Sequence, residues 1–74
     1  NNQQGNFIRY AKNTFEQAQL AGERRLSLDA ALMLCSDPDT QENFDFYSQF
    51  IRENATEWWR KSNLEILASL RIVE

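Results

Sequence analysis

Cys35 is the side chain in this sequence best suited by type to act as a nucleophile, and it is the only cysteine. A thiol nucleophile wants a histidine base, and the chain contains no histidine. Leu32, Met33 and Leu34 precede it, so Cys35 reads as a small core hydrophobe. A single cysteine excludes an internal disulfide and fits a reducing compartment, hence a cytoplasmic location. With no histidine beside it, a closed zinc site lacks most of its roughly four nitrogen and sulfur ligands.

The carboxylates offer two further constellations. Asp37, Asp39, Glu42 and Asp45 could supply oxygen ligands to a cation. A calcium loop also needs a central glycine, and here Pro38 interrupts the spacing. Acidic residues gather at a helix N-terminus for a simpler reason, since the helix dipole favours them there. Glu53 and Glu57, four residues apart, could do acid–base work, but a 74-residue chain has little room for the concave apolar pocket such work needs. Asn54-Ala55-Thr56 spells a glycosylation sequon; with a free cysteine and no signal segment, Asn54 reads as a helix cap or an ordinary helix residue. These readings point to a non-enzymatic protein with no cofactor, no metal and no small-molecule substrate.

The basic residues carry a second function class. Arg24-Arg25 and Arg60-Lys61 are the only basic pairs. On antiparallel neighbouring helices they could meet in a small phosphate-binding patch, and a dimer could add Arg9 and Lys12 to one stripe. A short helix, a turn and a following helix also have helix-turn-helix proportions. Against this, the would-be recognition helix begins Thr40-Gln41-Glu42-Asn43-Phe44-Asp45, which is acidic and aromatic and unsuited to a negatively charged groove. The net charge is −3 with both signs interleaved. Nucleic-acid binding is therefore the alternative reading, not the leading one.

The elements that position these residues are helical. Asn1-Asn2-Gln3-Gln4-Gly5 is polar and reads as a disordered tail or linker end over residues 1–5, followed by one helical domain over residues 6–74. With no Met at its start, the chain also reads as a processed product or a piece of something longer. No charged segment followed by an apolar stretch reads as a signal peptide, and no apolar run reaches the ~18 residues of a membrane span.

Phe7, Tyr10, Ala11, Thr14, Phe15, Ala18 and Ala21 recur at helical spacing, with Asn6 as N-cap and Gly22 as the residue just past the C-terminus. Ser27 is placed to cap a second, shorter helix, with Asp29 in its first turn. Leu28 to Cys35 is apolar nearly all round and predicts a helix buried on several sides. Pro38 marks a break, and Asp39 with Glu42 has capping-box spacing for a third helix.

From Thr40 to Val73 the periodicity is helical throughout. Unbroken, that helix would span about 50 Å, against a diameter of roughly 30 Å for a globule of this length. A restart near Asn54 or Ser62, or a partner chain, resolves the mismatch. Placed at 100° per residue, Phe44, Tyr47, Ile51, Ala55 and Trp58 share a core face. Trp59 falls at its edge, and Phe46, Phe50 and Leu64 lie nearly opposite. Two apolar faces in so short a chain predict an interface.

The expected fold is all-α, a small three- to four-helix domain assembled as a helical dimer. The expected function is protein–protein interaction or self-association, with Phe46, Phe50, Trp58, Trp59 and Leu64 as contacts. The partner is a second copy or another protein, and no membrane partner is expected.

Overall fold

A computed structural model describes residues 2–72, and the side chains from Asn6 onward. Every element among the described residues is a helix, in the order α1 (Asn2–Ala21), α2 (Arg24–Ser36), α3 (Gln41–Asn54), α4 (Glu57–Ser62) and α5 (Leu64–Ser69). The all-α expectation holds. The count of three or four falls short of the five present, because the C-terminal third breaks twice.

α1 begins earlier than its capping signal suggested. Its backbone is helical from Asn2, so Asn6 lies inside the helix and does not cap it. Once a helix has nucleated, each added residue gains a hydrogen bond, and a Gly such as Gly5 costs only about 1 kcal/mol. The face buried by α1 is also rotated from the expected one. Ile8, Ala11, Phe15 and Ala18 are buried, whereas Tyr10 is exposed and Phe7 sits at the rim.

The end of α1 follows its sequence signal. Gly22 takes a left-handed φ of 73°. The Glu23 N–H donates to the Ala18 carbonyl at 2.8 Å and the Gly22 N–H to that of Gln19 at 3.2 Å. This is a Schellman closure, in which glycine supplies the conformation that a Cβ disfavours. The reversal is so tight that α2 starts at once, with Glu23 in the N-cap position. Ser27 is therefore not the cap. It is buried one turn into α2, and its hydroxyl donates to the Glu23 carbonyl at 3.0 Å.

α2 is the central element, packed against α1 on one side and α3 on the other. Leu28, Ala30, Ala31, Leu32, Leu34 and Cys35 are all buried, as the absence of a polar face predicted. Past Pro38, Thr40 caps α3 by accepting from the Asn43 N–H at 3.0 Å. Asp39, the expected cap, turns instead to Lys12 of α1 at 3.3 Å and to the Asn43 side chain.

The long C-terminal helix is interrupted at both suggested places. Ala55 and Thr56 are extended, at φ/ψ of −69°/133° and −80°/164°. Thr56 then caps α4 by accepting from the Trp59 N–H at 3.2 Å. Arg60 reaches back over the break. Its Nη2 donates to the Arg52 carbonyl at 2.9 Å and its Nε to that of Ala55 at 3.3 Å, supplying donors that the last carbonyls of a helix lack. Asn63 separates α4 from α5, and its side-chain amide donates to the Trp59 carbonyl at 2.9 Å.

A second Schellman closure ends α5. The Ile72 N–H donates to the Leu67 carbonyl at 2.9 Å and the Arg71 N–H to that of Ala68 at 3.1 Å. Leu67 and Ile72 both enter the core, forming the hydrophobic contact that accompanies this motif. The folded chain has a radius of gyration of 11.7 Å and extents of 35 × 29 × 19 Å, too small for an unbroken helix of about 50 Å.

Candidate protein-interaction surface

The two tryptophans exchange the roles their sequence positions suggested. Trp59 is 2 % exposed and Trp58 is 60 % exposed. The expected phase carried one helical wheel from Thr40 through position 73. The extended residues Ala55 and Thr56 reset that phase, so α4 presents Trp59 to the core. Trp59 is thus a core residue and leaves the set of interface candidates. Its indole N–H donates to the Asp29 carboxylate of α2 at 2.9 Å, the polar partner a buried Trp requires. Asp29, expected to serve the helix dipole, instead pins α4 to α2.

Trp58 points away from this contact. The Arg25 guanidinium lies 4.9 Å from its ring centroid, within cation–π range. Arg24, Arg25, Leu28 and Thr56 line a shallow hollow beside the two Trp rings.

Phe46 is 58 % exposed yet contacts other rings of the chain. Its ring makes edge-to-face contacts with Tyr47 at 5.0 Å and Phe15 at 6.3 Å. Phe50, one turn on, is half-buried with its ring 4.9 Å from that of Phe15. α1 therefore covers much of Phe50 but leaves Phe46 outside. Asp45, Phe46, Gln49, Phe50 and Glu53 line a hollow along α3. Its two carboxylates are held by amides, with Gln41 donating to Asp45 at 3.1 Å and Gln49 to Glu53 at 2.9 Å.

Leu64 is 64 % exposed. It does not continue the Phe46–Phe50 face, because the breaks at residues 55–56 and at Asn63 turn it elsewhere. It stands at the lip of an apolar groove between α3 and α5, whose lining includes Ile51, Leu67 and Ile72.

The hollows of Phe46 and Trp58 are joined by a third. Gln19, Gly22, Arg24, Phe50 and Asn54 line a recess between them. It shares Phe50 with the first hollow and Arg24 with the second. A strip therefore runs from α3 across the α1–α2 turn to α4. It is acidic and aromatic at the Phe46 end, basic and aromatic at the Trp58 end.

The basic pairs do not gather as sequence reasoning allowed. Arg24 and Arg25 line the Trp58 hollow, whereas Arg60 and Lys61 line a different one with Leu64. Arg60 is engaged with helix carbonyls, and Lys61 pairs with Glu57 at 3.4 Å. Glu53 and Glu57 belong to separate helices and have separate partners. Among the described residues no group of three His, Cys, Asp or Glu side chains is placed to hold a metal ion.

Cys35 is buried. Burial pushes its thiol up from 9.0 to about 11, against a weaker opposing pull from the Arg52 guanidinium. At neutral pH it is protonated and inert, since the thiolate is the reactive form.

Three functional details escaped the sequence reading: the Asp29–Trp59 bond, the use of Arg60 as a cap, and the Phe50–Arg24 continuity. Only the second had a sequence signal, an Arg placed shortly after a helix end. The others depend on which helices meet.

No protein-family model, curated protein or solved structure shows a significant match to the chain.

Proposed function

We propose that the protein is a non-enzymatic protein–protein interaction module that associates with itself, a homodimer in its simplest form. Phe46 and Trp58 are its principal contacts, with Phe50 and Leu64 beside them. One observation carries this reading. The core closes on a single chain without Phe46 or Trp58, and both remain more than half exposed. Large aromatic side chains at a surface are the usual anchors of interfaces. Both also have contacts within the chain that favour one side-chain position, Phe46 with two aromatic neighbours and Trp58 with Arg25. That lowers the entropy lost on binding. Symmetric dimers are the commonest assemblies of identical chains.

Nucleic-acid binding has less support. Lys12, Arg60 and Lys61 each satisfy an internal acceptor, and Arg25 stacks on Trp58.

Sedimentation equilibrium tests the proposal. The expected result is a reversible dimer at micromolar concentration that Trp58→Ala weakens while the monomer stays folded and loses about 1 kcal/mol or less of stability. A wild-type chain that remains monomeric at several hundred micromolar would overturn it.

A further inference from the structure

The surface strip between Phe46 and Trp58 has opposite charge at its two ends, and this specifies how two copies would meet. At one end the exposed Asp45 and Glu53 line the hollow of Phe46, Asp45 beside that ring and Glu53 beyond Phe50. At the other, the Arg25 guanidinium lies over Trp58, and Arg24 lines the same hollow. Of the acidic neighbours, Glu23, Asp29 and Glu57 line neither the basic hollow nor the connecting recess. Asp29 is engaged by the Trp59 indole of the basic hollow's wall, and Glu57 pairs with Lys61. Phe50 joins the acidic hollow to the connecting recess, and Arg24 joins that recess to the basic hollow.

We infer that a second copy of this chain docks on the strip in antiparallel fashion, about a two-fold axis passing through the recess between Phe50 and Arg24. In a two-fold interface the same patch serves both partners, so residue i meets j and j meets i. A strip that is acidic at one end and basic at the other is complementary to itself only in that orientation. Each copy then sets Asp45 and Glu53 against the partner's basic end, and Phe46 beside its exposed Trp ring. A parallel arrangement would oppose like charges at both ends, which strongly disfavours association. The inference rests on the self-association proposed above and adds its geometry.

Charge exchange tests it. One variant carries Arg24→Glu with Arg25→Glu, and its strip is acidic at both ends. The other carries Asp45→Lys with Glu53→Lys, and its strip is basic at both ends. Each variant alone should dimerise at least ~100-fold more weakly than wild type, because like charges then face each other. An equimolar mixture of the two should dimerise again as a heterodimer, at close to the wild-type constant. Recovery in the mixture also shows that both variants are folded, and circular dichroism checks each one alone. For a variant that unfolds, the milder pair Arg25→Gln and Glu53→Gln replaces the reversals, each weakening the dimer by about tenfold.

The outcomes separate the two claims. A wild-type chain that never dimerises overturns the self-association itself. A wild-type dimer whose constant is unmoved by both charge variants overturns the antiparallel strip and leaves self-association standing. Loss in each variant with no recovery in the mixture of folded chains also overturns the strip geometry.

Discussion

Trp58 and Trp59 are adjacent in the chain and differ in almost all of their solvent exposure, so they separate stability from association. Trp59→Ala removes a buried indole and its bond to Asp29. Losses of about 3–5 kcal/mol are typical for such a change, and a domain of this size holds only about 3–5 kcal/mol in its core. The variant should lose the order of α4 and α5 first, its helical circular dichroism at 25 °C falling clearly below that of wild type. Trp58→Ala should cost about 1 kcal/mol or less in urea melts, the scale of an exposed cation–π contact. Equal losses from the two substitutions would contradict the burial assigned to them. Helical periodicity put Trp58 in the core and Trp59 at its edge, the reverse of the observed burial. Which ring goes inside depends on two extended residues, Ala55 and Thr56, which contain neither Gly nor Pro to announce the break.

Cys35 sets an alkaline limit at the same scale. Its folded-state thiol titrates near 11, above an ordinary value of 9.0. Tyr47 is shifted in the same direction, chiefly by burial and then by the negative charges of Glu16, Asp39 and Cys35. A raised acid ionises first in the unfolded chain. The stability it contributes is therefore complete below the unfolded value and is lost as pH rises through the folded one. Melting temperature should fall between pH 9 and about 11, and Cys35→Ala should flatten part of that decline. An unchanged slope would remove Cys35 as its source.

Among the elements, the punctuation of the chain was legible wherever it rests on a residue with a special backbone. Gly22 ends α1 and Pro38 separates α2 from α3, as their chemistry requires. Starts written in polar side chains were read less accurately. Ser27, Asp39 and Asn54 were all plausible caps, yet Glu23, Thr40 and Thr56 hold those positions. Several such residues compete near each helix start, and tertiary packing chooses among them.

The last helix ends without a glycine. Arg71 adopts φ 60° at the position where Gly22 serves α1, a conformation that costs a side chain with a Cβ about 1–2 kcal/mol. Arg71 is exposed, so its replacement forfeits little packing. Arg71→Gly should raise stability by about 1 kcal/mol, part of the gain being offset by greater freedom of the unfolded chain. That corresponds to a rise of about 4–8 °C in melting temperature. A lower melting temperature would show that the Arg71 side chain contributes more than its backbone costs.

For the whole molecule, the all-helical class and the central place of α2 were readable because periodicity and an apolar run are properties of a single helix. The interaction surface was not. Sequence reasoning assembled Phe46, Phe50 and Leu64 into one stripe on a continuous helix, and the two breaks divide it. The strip from Phe46 to Trp58 combines side chains of α1, α2, α3 and α4 and exists only after folding.

α4 and α5 contain six residues each, well below the ~12–15 at which an isolated helix becomes even marginal in water. Their order is borrowed from Trp59, Leu67 and Ile72, which tie them to the rest of the fold. Such a segment forms a cooperative unit that opens below the global unfolding free energy. Amide hydrogen exchange should show residues 57–69 opening together, ahead of the α2 core, and uniform protection of all five helices would refute this. Arg24 and Arg25 remain in place when the unit opens, but Trp58 leaves. A ligand seated on both halves of that hollow binds only the closed form, so it must slow exchange throughout α4 and α5 in proportion to its occupancy. Recognition and the local folding equilibrium of the last two helices are then one linked process.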